Sequence, residues 1–251
     1  MYRYFAQLSF KGTRYHGWQI QPNAVSVQET VEKTLSTILG EEISVVGAGR
    51  TDTGVHATFF VLHFDMVKEI SNTQKLLFRL NSFLPPDVAI QKIWSVPKES
   101  HARFSAVSRT YHYYITTEKN PFQTETAFYY HSKLDLDKMN EAAKILFEYD
   151  DFTSFSRLHT DVKTNLCKIF QAEWESEGRM LIFKIKADRF LRNMVRAIVG
   201  TLLEVGKGKL TLEDFRKIIE QKDRGSAGTS APAQGLFLVD VEYPVNMVSA
   251  F

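Results

Sequence analysis

Arg50 and Asp52 stand two residues apart inside Gly47-Ala48-Gly49-Arg50-Thr51-Asp52-Thr53-Gly54-Val55-His56-Ala57, a stretch with three glycines in eight residues. A carboxylate held on a permissive loop can serve as a nucleophile or as a general base. The plainer role for Asp52 is a turn-capping bond to its own backbone, with Arg50 as a surface ion partner of small energetic weight. The connection is too long for a two-residue hairpin, and long loops in compact domains tend to carry function. It lacks the Gly-Lys-Ser/Thr ending of a phosphate loop. His56 reads as a loop hydrogen-bonding residue without a catalytic role.

The elements around this loop follow from pattern. Residues 43–46 are apolar and residues 58–64 are rich in aromatic and β-branched side chains, which predicts strand, glycine-rich loop, strand. Upstream, Tyr2, Tyr4, Ala6, Leu8 and Phe10 alternate as a strand. A polar and aromatic loop over 11–22 follows, in which Tyr15 and Trp18 are either stacking surfaces beside basic residues or simply packed. Ser26 and Glu29 have capping-box spacing, and Val27, Val31, Leu35 and Leu39 recur every four residues, which predicts a helix ending at Gly40. Leu76, Leu77, Leu80 and Phe83 mark a second helix, stopped by Pro85-Pro86. Residues 88–94 form a further strand. The order β-α-β-β-α-β is that of a split βαβ, or ferredoxin-like, unit.

The polar residues 98–105 mark a crossing into a second unit. Strands are expected at 107–117, 125–131, 164–175, 179–187 and 236–243. Helices are expected from the Asp135 cap to Glu148, over 189–205, and from Thr211. With one extra strand and one extra helix, the same order repeats. The expectation is an α+β protein of two ferredoxin-like domains, residues 1–105 and 106–251, with sheets side by side around a central cleft.

Bulk properties narrow the chemistry. The 251 residues are 44% hydrophobic and 24% charged, a normal globular balance. No apolar run reaches transmembrane length, so no membrane partner is expected. The N-terminus opens directly into a strand pattern and not a signal peptide. The single cysteine, Cys167, reads as a small core hydrophobe. A reducing, cytoplasmic setting fits. The scattered histidines have no metal-ligand spacing, so no metal is expected. Net charge is only +2, yet residues 184–224 carry eleven Lys/Arg against six acids. Residues 1–28 carry Arg3, Lys11 and Arg14 with no acid. A basic face for a polyanion and an ordinary solvated surface both account for this. Lys11, Arg14 and Lys207 are candidate phosphate contacts.

Gly49-Arg50-Thr51-Asp52-Thr53-Gly54-Val55-His56-Ala57 resembles the active-site motif of the tRNA pseudouridine synthase A family. Four more segments resemble that family in order: Phe10-Lys11-Gly12-Thr13 with Tyr15-His16-Gly17-Trp18-Gln19; Ser105 to Tyr113; Phe190-Leu191-Arg192-Asn193-Met194-Val195-Arg196 with Gly200; and Ala231 to Leu238. The departures are Thr53, where alanine is common, and Thr110, where arginine is common before the tyrosine. The resemblance implies a pseudouridine synthase fold and an enzyme that isomerises uridine in the anticodon stem-loop of tRNA, at positions 38, 39 and 40. It implies a homodimer without cofactor or metal. It maps the catalytic aspartate onto Asp52, its arginine partner onto Arg192 and the tyrosine that stacks on the target uracil onto Tyr111. Arg50 maps onto the arginine that contacts RNA and helps extrude the base, and Leu238 is a candidate pocket residue. A stem base is unreachable while stacked, so this chemistry requires base flipping. Two other readings remain: a non-catalytic RNA-binding protein, and a pseudouridine synthase acting on ribosomal RNA. A small-molecule hydrolase lacks its usual nucleophile–histidine–acid set or carboxylate pair.

Overall fold

Tyr2–Phe10 forms β1 in a computed structural model that describes residues 1–157 and 164–247. The chain divides into two compact units. Met1–Val107 and the described residues from Leu238 onward form the first, and Ser108–Phe237 the second.

In the first unit, β1 pairs antiparallel with β3 (His56–Met66) on one side and with β4 (Val88–Val96) on the other. Helix α1 (Val27–Leu39) starts where Ser26 accepts the Glu29 N–H, and it ends at Gly40. Its Val27, Val31 and Leu35 are buried, each contributing about 1.5–3 kcal/mol of apolar burial. Helix α2 (Thr73–Phe83) is capped by Asn72, whose Oδ1 accepts the Lys75 N–H. Only Leu76 and Leu80 of its expected stripe are buried. Leu77 is half-buried and Phe83 is exposed, because they fall on either side of the narrow seam.

The strand expected at 43–46 shrinks to β2 (Val46–Gly47), paired with His63 and Leu62 of β3. The reason lies on α1. The Ile43 N–H donates to Ser36 Oγ at 2.9 Å and the Val45 N–H to Glu32 Oε1 at 2.8 Å. These amides are satisfied by helix side chains and not by a ladder.

In the second unit, β5 (Ser108–Thr116), β8 (Met180–Ala187) and β7 (Ile169–Glu177) lie in that order, antiparallel. Helices α3 (Leu136–Ile145), α4 (Met194–Gly206) and α5 (Leu212–Glu220) add buried apolar residues to those of the strands, with Met139, Ile198, Leu202 and Phe215 among them. The strand expected at 125–131 is only β6 (Phe128–Tyr129), since the Thr126 and Ala127 amides close a turn on Gln123 O. The strand expected from 164 begins at Ile169. Asn165 O and the Cys167 N–H bond instead to Phe152 N and Asp150 O. The last strand, β9 (Leu236–Glu242), contains the boundary between the units.

The helix expected over 189–205 starts five residues later, at Met194. Asp188 Oδ1 accepts the N–H groups of Lys168 and Arg189, and Asn193 adopts a left-handed φ of 68°, which no helix interior tolerates. Arg192 therefore sits in the connecting loop and not on a helix.

A polar cluster holds one end of β3. Arg3 forks onto Asp65 with both bonds at 2.7 Å, and its third nitrogen reaches Ser100 O. The guanidinium hydrogen bond holds the Asp65 carboxyl below its usual range. His63 is buried, accepts the Ala102 N–H on Nδ1, and is pushed down to about 4, first by burial and then by Arg3 and His101. A histidine kept neutral in the fold but free to charge when unfolded makes stability fall as pH drops from its ordinary value, about 6.5, to its folded value. The depressed Asp65 contributes stability that is present above about pH 4 and lost below it. Unfolding free energy measured against pH should therefore fall in two stages. In His63→Asn the slope between about pH 6.5 and pH 4 should drop by close to one proton; an unchanged slope would show that His63 titrates normally.

Candidate active site

Asp52 lies half-buried in the loop between β2 and β3, within the first unit. Its carbonyl accepts the Val55 N–H at 3.1 Å, closing a turn over Thr53 and Gly54. Gly54 has φ 79°, the left-handed value that the third position of a type II turn demands. Arg50, two residues before Asp52, is exposed.

The loop after β1 grips this turn. The Trp18 N–H donates to Thr51 O at 3.3 Å, and the Gly54 N–H donates to Tyr15 O at 3.4 Å. The same loop is tied to the start of α1, because Gly17 O accepts from Val27 N and Trp18 O accepts from Gln28 N. The two loops meet backbone to backbone. A Cβ on Gly12 would stand 2.0 Å from Val55 O, and one on Gly17 would stand 2.3 Å from Thr51 O. The glycines of the first loop thus let the second approach. Asp52 is held from both sides by main chain, which fixes where its carboxylate starts from.

Trp18 and Tyr15 are buried and do not form an exposed stacking surface. Trp18 stacks on Phe60 at 4.2 Å, beneath the loop. The Tyr15 hydroxyl donates to Asp87 Oδ1 at 2.8 Å, and burial together with that carboxylate pushes its phenol up to about 12. Arg14 is exposed but pairs with the same Asp87 at 2.6 Å. Lys11 is exposed, with its backbone N–H on Asp87 O. Leu238, in β9, is fully buried in the first unit.

Tyr111 and Arg192 belong to the second unit. Tyr111 is a half-buried β5 residue whose ring meets Phe190 edge to face at 5.2 Å. Its neighbour Tyr113 is wholly buried and donates to Pro232 O, so of the two alternating tyrosines only Tyr111 keeps part of its ring accessible. Arg192 has an exposed side chain, and its carbonyl accepts the Arg157 N–H at 3.0 Å. The following helix is anchored to the loop before β9 by Arg196, which bonds Ala231 O through Nε and exchanges a backbone bond with Ala231. Lys207 lies over the Tyr130 ring and pairs with Glu204 at 2.7 Å. Among the described residues no group of His, Cys, Asp and Glu is placed to hold a metal, and no helix is long and apolar enough to cross a membrane.

Comparison with known proteins bears on this arrangement. A family model described as tRNA pseudouridine synthase matches residues 6–105 and 142–244. The chain belongs to the tRNA pseudouridine synthase family. It is 58% identical to the tRNA pseudouridine synthase A of Bacteroides thetaiotaomicron, over 99% of this chain and 93% of that one. It is 59% identical to the protein of that name from Bacteroides fragilis, over 96% of each chain. Identity to the one from Bacillus subtilis is 39%, over 94% of this chain and 97% of that one.

Proposed function

We propose that Asp52 carries out the isomerisation of uridine to pseudouridine at positions 38, 39 and 40 of the tRNA anticodon stem-loop. The reaction class follows from the family: the enzyme is an isomerase that converts uridine in tRNA to pseudouridine. The observation that carries the assignment to Asp52 is its place on a main-chain-clamped turn, half-exposed, in the motif that resembles the family's active site.

The reaction breaks the N1–C1′ glycosidic bond, turns the uracil and joins C5 to C1′. Nothing is oxidised and no external nucleophile is consumed. One carboxylate suffices. It either adds covalently to sugar or base, or takes a proton during glycal formation. A base must later remove the C5 proton, and Asp52 is the group for that step. Arg192 orients the carboxylate through its planar fork. Tyr111 stacks on the flipped uracil and shields it from water, and Arg50 contacts RNA as the base is extruded. Leu238 lines the uracil pocket, and Lys11 and Arg14 contribute positive charge toward phosphate.

In this reading the first unit carries the aspartate loop and the second carries Arg192 and Tyr111. Each unit is ferredoxin-like, and the element order β1-α1-β2-β3-α2-β4 of the first supports that. The enzyme works as a cytoplasmic homodimer on tRNA, without cofactor.

Mapping pseudouridine in unmodified tRNA after treatment tests the substrate. Product at positions 38, 39 and 40 is expected; product in ribosomal RNA with none in tRNA would overturn the assignment. Arg192→Ala should lower kcat by about 10–10²-fold, with tRNA binding weakened less, since orientation is lost while the nucleophile remains. An undiminished kcat would remove Arg192 from the site. Affinity for tRNA should fall steeply with salt as counterions are released, and a flat salt response would contradict a phosphate-binding face.

A further inference from the structure

His56 lies four residues beyond Asp52, as the first residue of β3, and it is 1% exposed. Its Nδ1 sits 2.9 Å from the Gly12 amide nitrogen, in a buried hydrogen bond. A backbone N–H can only donate, so Nδ1 accepts and the ring proton of the neutral histidine rests on Nε2. Gly12 opens the short turn Gly12–Arg14 directly after β1, and its missing Cβ is what lets Val55 O approach. The bond therefore joins the base of the first loop to the base of the Asp52 turn. The Trp18–Thr51 and Gly54–Tyr15 bonds join the same two loops further out.

We propose that His56 is a positioning residue for Asp52, acting through its Nδ1 as a side-chain latch between the two loops. This rests on the reading that Asp52 performs the chemistry. The Trp18–Thr51 and Gly54–Tyr15 links are main-chain bonds; the Gly12–His56 bond needs an acceptor at a single side-chain position. An aliphatic side chain would leave the buried Gly12 N–H without a partner, and the loop would relax to find one. A shift of about 1 Å in a reacting group can cost about 10²-fold in rate.

The test uses two amides of different reach. Asparagine places its Oδ1 where histidine has Nδ1, whereas glutamine reaches the position of Nε2. Single-turnover release of tritium from tRNA containing 5-³H-uridine would be measured for wild type, Asp52→Ala, His56→Asn, His56→Gln and His56→Ala, with tRNA affinity and melting temperature alongside. His56→Asn should keep the rate within about threefold, while His56→Gln and His56→Ala lose about 10²-fold with tRNA affinity nearly unchanged. Equal rates for the asparagine and glutamine variants, at comparable melting temperatures, would overturn the latch and leave a packing role. If Asp52→Ala turned over like wild type, the reading of Asp52 itself would fail. An inactive Asp52→Ala beside a fully active His56→Gln would sink only the latch. Should the variants not fold, ¹⁵N spectra of the wild-type protein decide. A bare Nδ1 coupled across the bond to the Gly12 amide is expected, and a proton on Nδ1 of His56 would contradict it.

Discussion

Asp52→Ala should abolish pseudouridine formation, by about 10⁴-fold or more, while the protein still folds and still binds tRNA. The size follows from the chemistry. A single carboxylate is asked to start glycosidic cleavage and later to accept the C5 proton, and no second acid or base of the motif can take over both steps. The selectivity follows from the structure. The turn is held through Asp52 O, Thr51 O and the Gly54 N–H, all main-chain groups that alanine keeps. The side chain is half-buried, so its removal leaves no large apolar cavity. Asp52→Asn should behave alike, because the amide keeps the shape and loses the basicity. Melting temperatures within a few degrees of wild type, together with unchanged tRNA affinity, check that only chemistry was lost. Appreciable turnover in either variant would remove Asp52 from the mechanism.

Gly12→Ala should be a strongly damaging small substitution away from the carboxylate. The added methyl would stand 2.0 Å from Val55 O and 2.7 Å from Val55 C, both backbone atoms that cannot swing aside. Either β1 and the Asp52 turn move apart or the loop after β1 rebuilds. Overpacking of this kind costs about 1–3 kcal/mol. Moving the turn also breaks the Gly12–His56 bond and displaces Asp52, so kcat should fall about 10²-fold or more. The same methyl at Gly49, where a Cβ meets nothing within 4 Å, should cost far less stability. Kinetics and thermal melts of the two variants check this. A Gly12→Ala enzyme with wild-type kcat would show that the approach of the two loops does not set the position of Asp52.

Much of the fold was legible because local signals and tertiary packing agree. The cap at Ser26 and the Val27, Val31, Leu35 spacing predict α1 as found, and the alternation in residues 2–10 predicts β1. The failures occurred where side chains or special backbone values intervene. Residues 43–45 carry a strand composition, yet Ser36 and Glu32 on α1 take the amides that a ladder would need. The apolar spacing over 189–205 predicts a helix that includes Arg192, but Asn193 at φ 68° delays its start. Of the candidate site, the glycine loop and its carboxylate could be read directly from residue types. Trp18 could not be placed, since aromatic residues serve equally as exposed platforms and as struts; stacked on Phe60, it is a strut. His56 reads in the sequence as a loop hydrogen-bonding residue, and it is one, but a lone histidine does not name Gly12 as its partner until the two loops are brought together.

The most direct test of the central claim is release of tritium from tRNA labelled as 5-³H-uridine, with wild type and Asp52→Ala side by side. Pseudouridine and uridine have equal mass, so loss of the C5 label reports the bond change itself. Release by wild type alone is the predicted result. Equal release by the variant would contradict the role of Asp52, and no release by either, with tRNA bound, would contradict isomerisation of these uridines.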